Sequence, residues 1–203
     1  MHKEFTGSGD YATAVLNTNA ATKENLSSDG YYHIVCRDKD GNFKWEEKFE
    51  NQVVQVGKIL AMNTLLYTAS GYTLVGPYLG LIASATTYSP TDTMASHAGW
   101  TEFTNYTVGG SAVRGTAVFA TATGNNSSTP GANVVTSSAT SITYTITGAG
   151  GTVTGCFLVT GTGASSTLNS TTGTLWSAGG FAVAKTTTAG DTVAVTYSTT
   201  ATS

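Results

Sequence analysis

Apolar and polar residues alternate between positions 31 and 49, and the period then changes. Tyr32, Ile34 and Cys36 interleave with His33, Val35 and Arg37. After Asp40-Gly41, Phe43, Trp45 and Phe49 fall on one face, and Lys44, Glu46 and Lys48 on the other. This is the period of two expected of paired strands with one apolar face. Asp40-Gly41 marks their turn, because glycine accepts positive φ without a steric cost. From Asn51 the spacing becomes three and four, through Val53, Val56, Leu60 and Asn63. That spacing predicts a helix capped by Asn51 and laid over the aromatic face of the hairpin.

Beyond this unit the pattern is strand-like. A short apolar run at 78–83 reads as a core strand, with Pro77 at its first position. Asp92 is placed to cap a single helical turn ending at Gly99. Further strands are predicted at 113–120, 141–147, 152–160, 174–183 and 192–198, separated by Gly-, Ser- and Thr-rich loops. The clearest alternations are Ile142, Tyr144, Ile146 and Val193, Val195, Tyr197. Short strands at regular spacing predict a mainly β fold, an antiparallel β-sandwich of immunoglobulin-like or jelly-roll type. It carries one α-helix packed on the N-terminal hairpin. The expected organisation is an extended arm over 1–29 and a β-rich domain over 30–203. Within that domain, hairpin and helix occupy 30–68 and the sandwich 72–203. The loop at 161–173 is long and uncharged, so it is either mobile or clamped by a neighbour.

Charge changes this picture. Of 21 charged residues among 203, 15 lie in the first fifty positions. Only Lys58, Asp92, Glu102, Arg114, Lys185 and Asp191 follow. Ordinary soluble domains carry about 25 % charged residues, so the surface is expected to be covered by other protein chains or by copies of itself. The arm has few apolar residues beyond Tyr11, Ala12, Ala14, Val15 and Leu16, too few to hold itself down. It is therefore expected to lie on a neighbouring subunit. A net charge of −3 gives no footprint for nucleic acid or an anionic membrane. Cys36 and Cys156 read as buried free thiols.

Candidate chemistry is sparse. His97, near Asp92 and Ser96, is the one plausible general base, and it is weighed against a histidine bonding the loop backbone. Asp38, Asp40 and Asn42 have part of a calcium-loop pattern but lack the distal Glu, so a hairpin tip fits better. His33 and Cys36 leave opposite faces of a strand and cannot share a metal. Glu46 and Glu47 face opposite sides of a strand, so Glu46, Glu47 and Glu50 read as a solvated hairpin face rather than a glycosidase pair. No catalytic, cofactor-binding or metal-binding residue is assigned, no cofactor is expected, and the protein is read as a non-enzyme.

Several segments resemble a family of tailed-bacteriophage virion structural proteins. They are GYYHIVC at 30–36, DKDGNFKW at 38–45, NQVVQVG at 51–57, YLGLI at 78–82 and, most specifically, DTMASHAGWTE at 92–102. GCFL at 155–158, GTLWSA at 173–178 and AGDTVAV at 189–195 extend it to the C-terminal part. Trp176 stands where the family often has Tyr. The resemblance implies a non-enzymatic component of the particle, in the first instance a capsid decoration (cement) protein assembled in the bacterial cytoplasm. Its partners would be the major capsid protein or other virion proteins. A tail, neck or fibre-attachment subunit is the alternative. A third reading is a carbohydrate-binding sandwich that uses Trp100, Trp176 and Tyr106 as exposed aromatics.

Overall fold

A computed structural model of the chain describes residues 27–66, 74–125 and 134–202. The expected arm lies outside the described residues up to position 26. Its last three positions, 27–29, belong to the first strand.

The hairpin forms as the alternation requires. β1 (Ser27–Arg37) pairs antiparallel with β2 (Phe43–Glu50). Asp38 closes the turn by accepting the backbone N–H groups of Asp40 and Asn42 at 2.9 and 2.8 Å, and Gly41 takes φ +85°. Tyr32, Ile34 and Cys36 are fully buried. Phe43 is 58 % exposed, against expectation, because pairing slips by one residue after Cys36 and the ladder bulges there.

The helix starts later than predicted. Gln52–Val53 is a short strand, β3, and α1 runs over Gln55–Leu66. Asn51 caps nothing; its amide donates to the Tyr197 hydroxyl at 3.1 Å. The Gln55 N–H is satisfied by the Pro90 carbonyl at 2.7 Å instead. The helix rests on β12 (Thr174–Thr187), with Gly57 against the Trp176 backbone. A Cβ at Gly57 would sit 2.6 Å from the Trp176 carbonyl oxygen, so only glycine allows this approach. The hairpin's aromatic face is covered by β12 rather than by the helix. Phe181 meets Phe49 and Trp45 edge-on at ring-centroid separations of 5.2 and 5.8 Å.

The remaining strands complete an antiparallel β-sandwich. They are β4 (Tyr78–Ala85), β5 (Trp100–Phe103), β6 (Tyr106–Thr107), β7 (Gly115–Thr116), β8 (Thr123–Gly124), β9 (Val134–Ser138), β10 (Ile142–Ile146), β11 (Gly151–Thr160) and β13 (Thr192–Thr202). One sheet runs β2-β1-β13-β10-β6, with β9 beside β13 and β8 beside β9. β9 and β10 lie along the same β13, from Val134↔Thr202 to Thr145↔Thr192, so they act as one interrupted strand. The other sheet runs β3-β12-β11-β4-β5, with β7 beside β4.

Two predicted elements change. The expected strand at 113–120 is broken. Gly115–Thr116 pairs with β4 of one sheet, while Phe119 bridges Ala139 beside the other, so the segment crosses between layers. The expected helical turn after Asp92 is a bridged turn between Thr93 and Ser96. Conversely, β9 forms within a stretch read as loop.

Between the sheets lies a core that includes Tyr32, Ile34, Tyr144, Val195, Leu81 and Leu158. A second apolar cluster joins Ile82, Phe157, Val159 and Leu175 to Val54, Met94, Trp100 and Ala164. Residues 155–160 of β11 are all buried. That strand is therefore covered on both faces, by the partner sheet and by a layer of loops.

Candidate functional site

The charges after position 50 were the natural place to seek chemistry, and most of them are structural. Glu102 on β5 and Arg114 meet in a two-pronged ion pair. Arg114 Nε donates to Glu102 Oε1 at 2.9 Å and Nη2 to Oε2 at 2.7 Å. Their side chains are 5 % and 0 % exposed. Two further guanidinium N–H groups reach the Ser165 and Ser170 carbonyls at 3.0 and 2.8 Å. Glu102 Oε2 also accepts the Asn169 N–H at 2.7 Å, and the guanidinium lies 5.0 Å from the Phe157 ring centre. This network ties the 161–173 loop to the sandwich, so the chain clamps that loop itself. Four of the five guanidinium N–H groups and both carboxylate oxygens are engaged, which leaves neither group poised for acid–base work.

Asp92 is likewise structural. Its carboxylate accepts the Trp100 indole N–H and the Ser89 backbone N–H, both at 3.1 Å. His97 bonds the Trp100 carbonyl through Nδ1 at 3.0 Å and stacks on the Trp100 ring at 3.8 Å. Asp92 thus serves the indole rather than orienting the imidazole, and no hydrogen bond joins His97 to Ser96. Asp191 is buried and binds Lys44, and Lys185 binds Glu47. Burial pushes the Asp191 carboxyl up, but Lys44 and the two hydrogen bonds from Thr188 outweigh it and hold the group below its ordinary value.

The other candidates do not converge. Asp38 faces its own turn, where Asn42 donates to it and lowers its pKa. Among the described residues, no group of three His, Cys, Asp or Glu side chains is arranged to hold a metal. Cys36 and Cys156 are buried and free, and burial raises the Cys36 thiol to about 11 and the Cys156 thiol well above its ordinary range. The aromatics expected to face a sugar are interior. Trp100 is 2 % and Tyr106 1 % exposed, and Trp176 is half-buried with its indole donating to Tyr197 at 3.0 Å. No described helix is long and apolar enough to cross a membrane.

The molecule does present an apolar surface. On α1, Ile59, Met62 and Leu66 are 50, 47 and 73 % exposed, and Leu74 is 66 % exposed. A cleft of about 360 Å³ runs beside them, lined by Leu60, Ala61, Leu74, Pro77, Phe119 and Trp176 among others. Sequence reasoning missed this face because it assigned the helix to the hairpin. The position of Gly57, one turn from Leu60 and Ala61, was the available signal of a close helix–strand approach. Comparison of the chain with family models, curated proteins and solved structures finds no match.

Proposed function

We propose that the protein is a non-enzymatic structural subunit of a bacteriophage particle, a capsid decoration protein that binds the outside of the shell. The observation that carries this reading is the deployment of charge. Beyond position 50, Asp92, Arg114, Asp191 and the Glu102 side chain are buried and Lys185 is engaged with Glu47, which leaves Lys58 on α1 as the one exposed charge of that part of the chain. The rest of that surface is mainly Ser, Thr and Gly, with the exposed apolar side chains of α1. Such a surface favours contact with other protein chains over dispersal in water. Residues 1–26 would act as an arm on a neighbouring subunit. Many modest contacts, multiplied by particle symmetry, would then hold the shell.

Quantitative mass spectrometry of purified particles tests this. A copy number equal to the major shell protein, or a fixed simple fraction of it, is the expected result. A handful of copies per particle would move the protein to the tail, neck or fibres, and absence would overturn the virion reading. Deletion of residues 1–26 is expected to weaken binding to shells; unchanged binding would remove the arm from the account.

A further inference from the structure

We infer that β2 is a two-fold dimerisation edge, on which a second copy of this chain adds its own β2 antiparallel. This goes beyond the virion reading and does not depend on it. β2 ends its sheet: among the described residues it pairs with β1 alone, and its outer edge carries no strand. At eight residues it is long for an uncovered edge. Such an edge offers a row of backbone N–H and C=O groups to any strand whose side chains fit.

The sequence FKWEEKFE fits itself. Two copies related by a two-fold axis normal to the sheet must place each residue opposite one of the same face, so only steps of two residues are available. With Glu47 on the axis, Glu46 faces Lys48 of the second copy and Lys48 faces its Glu46. At the ends Glu50 falls opposite Lys44, which sits at the bulge and is held by Asp191 of its own subunit. Trp45 faces Phe49 on the inner side. Sliding one step in either direction destroys this. One slip sets Glu46 against Glu46; the other sets Lys48 against Lys48 and Glu46 against Glu50. The charge pattern therefore selects one register and opposes both neighbours, since opposite charges stabilise a cross-strand pair and like charges destabilise it.

The subunit is prepared for this arrangement. Glu46 and Lys48 lie on the solvent face opposite Val35 and His33, and both are exposed. The axial Glu47 would meet its own copy, but each Glu47 already holds Lys185, which offsets the repulsion. Glu46 contacts His33 at 2.6 Å, and Lys48 lies 4.1 Å from the Tyr31 ring centre. These exposed partners hold the two side chains without burying them.

Sedimentation equilibrium of the full chain, with Lys48→Glu and Glu46→Lys as variants, tests the inference. The wild type is expected to dimerise reversibly. Each variant alone sets two like-charge pairs across the axis and is expected to dissociate more readily, with a Kd raised on the order of tenfold. An equimolar mixture of the two variants restores opposite charges at both positions, so a mixed dimer is expected with a Kd near the wild type. Loss of the His33 or Tyr31 contact within a subunit would not be repaired by mixing. A monomeric wild type, variants that dimerise as the wild type does, or a mixture that fails to recover would each overturn the assignment.

Discussion

The hairpin and the loop layer over β11 use charge in opposite ways. Between residues 27 and 50 charged side chains are frequent, and most are exposed; Lys39 and Asp40, for example, are 70 and 63 % exposed. The loop layer has few charges, but Glu102 and Arg114 are buried and join segments from 102 to 170. An exposed ion pair is screened and costs side-chain freedom, so it adds little stability. A buried, hydrogen-bonded pair becomes costly to break from one side, because the survivor keeps its charge without its partner. The abundance of charge in one region and its scarcity in the other thus run opposite to its structural weight.

Removing one partner of the buried pair is the most severe test of that contrast. Arg114→Met leaves the Glu102 carboxylate buried and unpaired and is expected to cost about 3–5 kcal/mol in urea unfolding. The double variant Glu102→Gln, Arg114→Met is expected to recover part of this, and a loss below about 1 kcal/mol for the single variant would dissolve the distinction. Next is Asp92→Ala, which leaves the buried Trp100 indole N–H without its acceptor; a loss of about 1–3 kcal/mol is expected, with a change in Trp fluorescence.

A third test uses acid. The Asp191 carboxyl is held below its ordinary value in the folded state, so it stabilises the fold above its unfolded pKa, about 4. That contribution is lost as pH falls through the lower folded value. The thermal midpoint of the wild type is expected to drop more steeply below pH 4 than that of Lys44→Met, in which only the two Thr188 hydrogen bonds oppose the effect of burial on the carboxyl. The smallest effect is expected at the hairpin tip. Lys39→Ala breaks an exposed pair and should leave stability within about 0.5 kcal/mol; a larger loss would show that the tip is not the solvated turn described.

Where one face of a strand is buried throughout, the sequence alone was sufficient. Tyr32, Ile34 and Cys36, then Ile142, Tyr144 and Ile146, then Val193, Val195 and Tyr197 all point into the core that their alternation predicts. The antiparallel sandwich followed from them. Alternation failed where a segment serves two layers. Residues 113–120 give two positions to one sheet and a bridge beside the other, so no single face is buried over the whole run. It failed again at β9, whose Ser and Thr side chains give little signal; its place is set by the backbone ladder that β13 offers. The Glu102–Arg114 network had no local signature, since its members are twelve positions apart and its other contacts are backbone carbonyls. His97 was visible as a candidate, but only the fold shows its ring stacked on Trp100.

The pairing of β1 with β13 has a consequence for the order of folding. Ser27 meets Thr202 and Arg37 meets Thr192, in unbroken register over the whole of both strands. On a ribosome β1 and β2 emerge early, yet the central strand of their sheet is made last. β10, made earlier, also has β13 as its neighbour. The second edge of β1 must therefore wait, without its strand partner, until residues 192–202 are synthesised. Contacts this distant in sequence slow folding and lengthen the exposure of apolar surface. Early termination in the last strand would leave a chain with two half-sheets and nothing to join them.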